Sequence, residues 1–254
     1  MEVVDIIKDS LKFPADNIKQ LAIYILLTIV IAVLLFGAIV SFAMSVQNVA
    51  FIALGVLLII LAIVVYFIMA GYQMEVLKTG LKHEIEIPDV EWKGVCILGL
   101  KKFVVDIVYM IIPTIITLIV FFLTASPAIY TNLNPAQFSS DFTGSLLFAS
   151  LSITLIVAFI VYLIFAFVQT MAYGRLAKTD SLGNALNIVE AVKDISRVGA
   201  GKVIVTILLL VVINVLITGI LSSTFIFAVL NIIAAPYLMF AFYRGNGLLY
   251  ADLE

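Results

Sequence analysis

The chain has 254 residues, of which 64% are hydrophobic and only 12% are charged, and its net charge is −2. Because a soluble domain carries roughly 25% charged residues and has too few interior sites for so many apolar side chains, this composition excludes a soluble protein. The near-zero charge indicates no nucleic-acid partner, and one cysteine and one histidine exclude an internal disulfide and multi-histidine metal sites.

The first predicted element is a short amphipathic helix over residues 1–12. Its apolar face consists of Val3, Val4, Ile7 and Leu11. We expect Phe13-Pro14 to end this helix, because proline disfavours helix continuation, and we expect the helix to lie in the membrane interface. Residues 1–20 contain several charges and no apolar run, so a cleavable signal peptide is not expected.

Six apolar stretches of about 20 residues or more are long enough to cross the hydrocarbon core as helices. They are Leu21–Met44, Val49–Tyr72, Phe103–Thr124, Gly144–Tyr173, Val203–Leu221 and Thr224–Tyr243. The fourth is long enough to tilt or to extend beyond the bilayer. The last two meet at Ser222-Ser223, which predicts a tight helical hairpin, whereas Ala125–Thr143 is predicted to be a loop.

Basic residues indicate the orientation of these spans. The chain has 14 Lys and Arg residues, and all of them lie in the segments 1–20, 74–102, 174–202 and 244–254. The turn at Ser45–Asn48 and the other connections on the opposite side contain none. The positive-inside rule therefore predicts a multi-pass protein of the cell membrane with both termini in the cytoplasm.

The spans form one membrane domain of three predicted hairpins, with units at about 1–73, 74–174 and 175–254. In each unit a lysine precedes the two spans and an aromatic residue marks their exit. This regularity is consistent with a parallel internal repeat, but hairpin topology alone produces much of it. Aromatic residues near the span ends are predicted interfacial anchors. The anchors are Tyr72, Trp92, Tyr173 and Tyr243.

Two further interfacial elements are predicted on the cytoplasmic side. A second amphipathic helix is expected over 184–198, with Val189 and Val192 on its apolar face and Asp194 on its polar face. Residues 85–92 are expected to be a broken interfacial segment. The fold prediction is thus an all-α, polytopic transmembrane bundle surrounded by cytoplasmic amphipathic helices.

Four sequence segments carry a resemblance to a known family. They are Lys-Phe-Pro at 12–14, GYQMEVLKTG at 71–80, IPDVEW leading into GLKKFVVDIVYMIIP between 87 and 113, and AYGRLAKTDSLGNAL at 172–186. Over nearly its whole length the chain resembles an uncharacterised, mostly archaeal family of multi-span membrane proteins, known as a domain of unknown function. The resemblance implies a membrane location and an archaeal source, and no activity. The hairpin layout is also distantly similar to the membrane domains of some bacterial glycerophosphodiesterases.

Asp106 is the leading candidate for an ion or polar site, because an ionisable residue inside a membrane helix is costly and often functional. A structural ion pair with Lys102 or Arg175 is the favoured interpretation, and a proton or cation site is the alternative. Other polar residues within spans would join such a site if they clustered around one cavity, although interhelical hydrogen bonds are their usual role. These residues are Tyr109, Asn214, Asn231 and Gln169.

The remaining candidate residues are better explained by structural roles than by a binding site. Pro113 and Pro236 lie within two predicted spans, where packing is favoured over paired broken helices around a binding site. Gly37 and Ser41 are small residues four positions apart, and such a pair allows a neighbouring helix to approach closely. An acidic patch beside His83 is more consistent with a solvated face than with a metal site. The patch consists of Glu75, Glu84, Glu86, Asp89 and Glu91.

The sequence contains no recognisable catalytic or cofactor motif, so we expect neither an enzyme nor a cofactor. The favoured function is that of a structural, interaction or accessory membrane protein, with the lipid bilayer and a second copy or another membrane protein as partners. A small transporter or channel that uses Asp106 and proline-broken spans is the alternative. A hydrated cavity lined by Asp106, Asn214 or Asn231 would favour the alternative.

Overall fold

A computed structural model describes residues 1–46, 48–88, 91–133 and 140–253. Within these ranges the chain is all-α and forms no strand, which confirms the predicted fold class. In chain order the helices are α1 (Val3–Asp16), α2 (Ile18–Met44), α3 (Ala50–Leu81), α4 (Trp92–Leu133), α5 (Ser140–Thr179), α6 (Leu182–Ala185), α7 (Ile188–Val198), α8 (Ala200–Leu221) and α9 (Phe225–Ala251).

Five helices are long and apolar enough to cross a membrane: α2, α3, α4, α5 and α8. The chain is therefore a multi-pass membrane protein. The sixth predicted span, Thr224–Tyr243, lies in α9, which has 27 residues but is not among these five. Ser222 and Ser223 connect α8 and α9 in a short turn, as the sequence predicts.

The predicted loop over Ala125–Thr143 is wrong for most of its length. Helix α4 continues to Leu133 and α5 begins at Ser140, while residues 134–139 lie outside the described part of the chain. The hydroxyl side chains of Ser126 and Thr131 in this stretch donate to helix carbonyls three residues earlier. They therefore satisfy their hydrogen bonds without interrupting the helix.

The first helix also departs from prediction. Pro14 does not end α1, which continues to Asp16, because the proline occupies the last turn and little helix follows it. The residues of α1 buried against the other helices include Ile6, Ser10 and Phe13. On the predicted apolar face Val4 is mostly exposed and the other three residues are half-buried, and the interfacial position of this helix stays a prediction.

The predicted helix over 184–198 is divided into α6 and α7. Asn187 causes the break, because its side chain accepts a 3.1 Å hydrogen bond from the backbone nitrogen of Glu190 and so caps α7. Val189 and Val192 are exposed, whereas Asp194 from the predicted polar face is only 2% exposed. The residues of α7 that pack on the protein thus include Ile188 and Ile195 of the predicted apolar face as well as Asp194, and the interfacial position of this helix stays a prediction.

The segments that contain the Lys and Arg residues come together at one end of the bundle. We call this end, comprising residues 1–20, 74–88, 91–102, 174–202 and 244–253, the basic end. The main buried core, which includes Tyr72, Met74 and Leu176, lies at or next to it. The helices α1 and α7 pack against the ends of α5, α8 and α9 in this region.

Glycines bring the helix backbones into contact at the basic end. A Cβ atom on Gly71 of α3 would lie 1.9 Å from the carbonyl oxygen of Val95 in α4. A Cβ atom on Gly247 of α9 would lie 2.1 Å from the carbonyl oxygen of Leu77 in α3. The predicted close approach at Gly37 is looser, since a Cβ atom there would meet only the Leu58 side chain at 3.2 Å.

The opposite halves of the membrane helices bury little of their surface, although α2 and α3 still meet at Phe42 and Gly55, and α4 and α5 meet at Thr124 and Ser150. In each of α2, α3, α4 and α5, only 11% of the most apolar 18-residue stretch is buried, and in α8 the fraction is 22%. The apolar side chains along these halves are largely exposed within the described chain. We call these segments, namely residues 25–44, 50–66, 107–133, 140–165 and 211–221, the outer halves.

Candidate functional site

The ion pair that best matches the sequence prediction lies on α4. Lys102 and Asp106 are four residues apart and therefore face the same side of the helix, with 2.9 Å between Nζ and Oδ2. Their side chains are 6% and 18% exposed. The Lys102 ammonium also lies 4.8 Å from the centre of the Tyr173 ring and 5.7 Å from that of Tyr243, in the range of cation–π attraction. Of the two partners considered for Asp106, Lys102 is the one that binds it.

Two residues of α5 complete the environment of the Asp106 carboxylate. The Gln169 amide donates to Oδ1 at 3.1 Å, and the Tyr173 hydroxyl donates a short hydrogen bond to the same oxygen. The Gln169 amide also donates to the Tyr173 hydroxyl at 2.7 Å. Asp106 thus has three donors in the described chain, and the pair gains the hydrogen bonds that a buried charge requires.

Asp106 forms part of the floor of a cleft that opens on the surface between α3, α4 and α5. The cleft has a volume of about 560 Å³. Its polar floor is formed by Asp106, Gln169 and Tyr173, and its remaining lining is largely apolar. The remaining lining residues are Tyr66, Phe103, Ile107, Met110, Ile111, Thr114 and Ile115.

Of the other predicted polar residues, only Gln169 joins Asp106 in this cleft. Tyr109 is buried, and its hydroxyl donates to the carbonyl oxygen of Ala185 at 2.9 Å. Asn214 lines a separate groove between α8 and α9. The Asn231 amide donates to the Ser222 hydroxyl at 2.8 Å, at the turn between those helices. Tyr109, Asn214 and Asn231 therefore lie in three other environments and do not extend the site.

Pro113 and Pro236 lie inside α4 and α9, and both helices continue through them. This continuity is consistent with the favoured packing interpretation, and the described part of these two helices shows no break at either proline. Among the predicted anchors, Tyr72, Tyr173 and Tyr243 are buried because they pack between helices. Only Trp92, which is 52% exposed, has the exposure expected of an interfacial anchor.

A second buried charge cluster surrounds Asp194 of α7, which the sequence pattern assigns to a solvated face. Its two carboxylate oxygens accept hydrogen bonds from Arg175 and Arg197, each at 2.8 Å. The Tyr250 hydroxyl donates to it at 3.2 Å, and Arg175 also donates to the Asn184 carbonyl at 2.9 Å. These bonds join α5, α7 and α9. The three-residue spacing of Asp194 and Arg197 is the only sequence signal of this cluster.

Two further polar contacts join α1 to the chain between α3 and α4. Arg244 of α9 is buried and donates to Asp9 at 2.8 Å and to the Glu84 carbonyl at 2.5 Å. The Asn17 amide donates to the Ile85 carbonyl at 3.0 Å, and its oxygen accepts from the Ile87 backbone at 2.9 Å. The predicted interfacial segment is therefore held against α1 and α9 by specific hydrogen bonds.

The acidic patch does not converge on one point in the described chain. Glu75 pairs with Lys78 at 2.8 Å and Glu84 with Lys82 at 3.7 Å, while Asp89 lies outside the described residues. A search of the described residues finds no group of three or more His, Cys, Asp or Glu side chains placed to hold a metal ion. Cys96 is half-buried with a free thiol.

Comparison with known proteins identifies the family of the chain. A family model described as "Protein of unknown function (DUF4013)" matches residues 54–227, which include three of the four segments that carry the sequence resemblance. The N-terminal Lys-Phe-Pro segment lies outside the match, so the likeness covers less of the chain than expected. No curated protein and no solved structure matches the chain.

Proposed function

Because the chain belongs to this family of proteins of unknown function, we propose its function from the structure alone. It is a non-enzymatic interaction protein of the cell membrane. Its basic end is a rigid cytoplasmic core, and its outer halves bind lipid and either a second copy or another membrane protein.

The low burial of the outer halves carries this proposal. With 11% of the most apolar stretch buried in each of four spans, a single copy leaves most of its helix surface for other molecules. The helices are held together at the basic end by backbone contacts and by the ion pairs of Asp194 and Arg244, and next to it the bonds of Asp106 to Gln169 and Tyr173 join α4 to α5. Such a protein keeps a fixed shape at one end while it offers apolar helix faces to neighbours.

The alternative of a transporter has less support. Asp106 is paired with Lys102 and bonded by two α5 side chains. Asn214 and Asn231 lie away from it, so the polar residues of the described spans do not line one path. The family membership and the described residues supply no catalytic set that would support an enzyme.

The proposed topology has α9 as a sixth span and both termini in the cytoplasm. Two contacts between distant parts of the chain support it. The Met1 amino group lies 2.9 Å from Asp252, and Lys202 pairs with the same carboxylate, so both ends of the chain share one side. The exposed valines of α1 and α7 support a position of these helices at the interface, where they meet lipid.

Thiol crosslinking in membranes tests the interaction function. In a Cys96→Ser background, single cysteines at Phe36, Phe159 and Val215 sample exposed positions on three outer halves. We expect at least one position to give a single crosslinked product of defined mass. A matched cysteine at buried Ala172 should give none. Monomer alone at all outer positions would contradict the proposal.

Water accessibility separates the interaction function from transport. Single cysteines at Ile107, Ile111 and Ile115 follow α4 along the cleft. We expect a charged, membrane-impermeant thiol reagent to leave all three unlabelled, because lipid and not water borders them. Labelling of all three from the side opposite the basic end would show an aqueous path to Asp106 and would favour a transporter.

A further inference from the structure

The cleft beside Asp106 has the features of a ligand site and not only of a gap between helices. Ligand pockets typically have volumes of about 300–1,000 Å³, with apolar walls and a few placed polar groups. The cleft, at about 560 Å³, has apolar walls and a floor in which Asp106, Gln169 and Tyr173 are already oriented by mutual hydrogen bonds.

Two side chains on the floor of the cleft, Asp106 and Gln169, can accept further hydrogen bonds. An ionised carboxylate has about four acceptor positions, and within the described chain Asp106 receives three donors, from Lys102, Gln169 and Tyr173. The side-chain carbonyl oxygen of Gln169 receives no hydrogen bond from a described residue. Because acceptors away from water are costly when unpaired, the floor favours a ligand that carries a hydrogen-bond donor.

The length of the cleft matches one leaflet of a bilayer. From Asp106 to Ile115 is nine residues of α4, or about 14 Å at 1.5 Å per residue. Half of a hydrocarbon core of about 30 Å is about 15 Å. Lys101, which pairs with Asp180 beyond the end of α5, lies about 7 Å from the level of Asp106 by the same rise per residue. The floor thus lies just inside the layer of exposed charges, at the depth where lipid headgroups meet their chains.

From these features we infer that the cleft binds one lipid molecule of the leaflet at the basic end. The lipid chain lies along α4 against Ile107, Ile111 and Ile115, and an amine or hydroxyl donor of its headgroup bonds to Asp106 and Gln169. This assignment goes beyond the proposed interaction function, because it defines a stoichiometric lipid site selective for headgroup donors.

Quenching of a single tryptophan by brominated lipid tests the site. Tyr66→Trp in a Trp92→Phe background replaces one aromatic wall residue by another, and Val33→Trp in the same background reports an exposed surface on α2 away from the cleft. The full chain is placed in nanodiscs of phosphatidylcholine in which one lipid component is chain-brominated. The brominated component is phosphatidylethanolamine, phosphatidylglycerol or, without a headgroup donor, phosphatidylcholine.

We expect a brominated donor lipid to be enriched at the Tyr66→Trp reporter over brominated phosphatidylcholine by about three- to tenfold, the factor for one hydrogen bond. Gln169→Leu, which leaves the Lys102–Asp106 pair intact, should abolish this enrichment, and the Val33→Trp reporter should show none. Equal quenching by all three lipids would overturn the inference, since the cleft would then hold ordinary annular lipid. Absence of quenching by any lipid would also overturn it and would indicate that protein fills the cleft.

Discussion

At the residue scale, Lys102 and Asp106 are a pair in which each charge depends on the other. Both lie in a largely apolar region, where an ion pair contributes little net stability but loss of one partner leaves an uncompensated charge. The ring faces of Tyr173 and Tyr243 and the amide of Gln169 supply the remaining favourable contacts. This arrangement explains why a costly aspartate can persist near the start of a membrane helix.

Asp106→Leu alone should lower the free energy of unfolding by about 3–5 kcal/mol, because it leaves Lys102 charged and unpaired. The double change Lys102→Met with Asp106→Leu should cost much less, since no buried charge remains. Thermal unfolding in one detergent, followed by circular dichroism, compares them. Disruption of the exposed Lys12–Asp16 pair is the matched control, with an expected cost of at most about 1 kcal/mol. Equal losses for the single and double cleft variants would contradict the account.

Asp252 provides a pH-dependent contact at the basic end. Burial raises the pKa of this carboxyl, but its bonds to Lys202 and to the Met1 amino group outweigh burial and hold the pKa below its ordinary value of 3.8. A lowered pKa stabilises the fold at pH values above the unfolded value, and this contribution is lost as the pH falls through the folded value.

The melting temperature of the protein should therefore fall as the pH is lowered from about 4, the ordinary value for an aspartate. Asp252→Asn should lower the melting temperature at pH 7 and reduce its dependence on acid. Asp141→Asn, in the first turn of α5, serves as a control at the other end of the bundle. An unchanged acid dependence in Asp252→Asn would show that other groups cause it.

At the element scale, the helices are held by a few backbone contacts at the basic end. Gly71 and Gly247 sit where a methyl group would overlap a carbonyl oxygen of the next helix. By contrast, a Cβ atom on Gly94 of α4 would have no neighbour within 4 Å. The same residue type therefore has opposite roles within the basic end.

Gly71→Ala should destabilise the fold by about 1–3 kcal/mol or more, as overpacking does, because α3 and α4 must move apart. Gly94→Ala should stabilise it by about 0.5–1 kcal/mol, since alanine is the better helix former. Unfolding in a denaturing detergent measures both. A stabilising effect of Gly71→Ala would show that α3 and α4 are not in direct backbone contact.

The existence of the membrane helices could be predicted from apolar length alone, and so could the hairpin at Ser222-Ser223. The helical extension of α4 to Leu133 could not be predicted. A segment that contains Ser, Thr and Pro is compatible with a loop, but equally with a helix in which the hydroxyl groups donate to backbone carbonyls of the same helix. The burial of Asp194 in α7 could not be predicted either. The amphipathic pattern assigns Asp194 to a solvated face, whereas its bonds to Arg175 and Arg197 hold it inside the protein.

The candidate site was predictable in part. Asp106 and its partner Lys102 follow from a charge inside a span and a four-residue spacing on one helix. Gln169 and Tyr173 are recognisable only as polar residues of another span, because their approach to Asp106 depends on how α4 and α5 cross. Asn214 and Asn231 are also polar residues within predicted spans, but the fold places them at α8 and α9, away from Asp106.

At the scale of the whole molecule, a densely packed basic end and outer halves with little buried surface give the protein two different surfaces. If the basic end is cytoplasmic, single cysteines in the Cys96→Ser background should label from opposite sides. Ser223→Cys should react with an impermeant thiol reagent in intact cells, and Lys82→Cys, which is exposed at the end of α3, should react only after permeabilisation. If Lys82→Cys reacts in intact cells and Ser223→Cys reacts only after permeabilisation, the topology is the inverse of the proposed one. If both cysteines react in intact cells, positions 82 and 223 lie on the same side of the membrane, which contradicts the three spans α4, α5 and α8 between them.

The composition of the native particle tests the central claim most directly. Membranes that contain the full chain are extracted into polymer nanodiscs without detergent, and native mass spectrometry determines which polypeptides each particle holds. The account predicts particles that hold at least two polypeptides in a fixed ratio, either two copies of this chain or one copy with a single defined membrane protein. Particles that hold one copy of the chain and only lipid would contradict it.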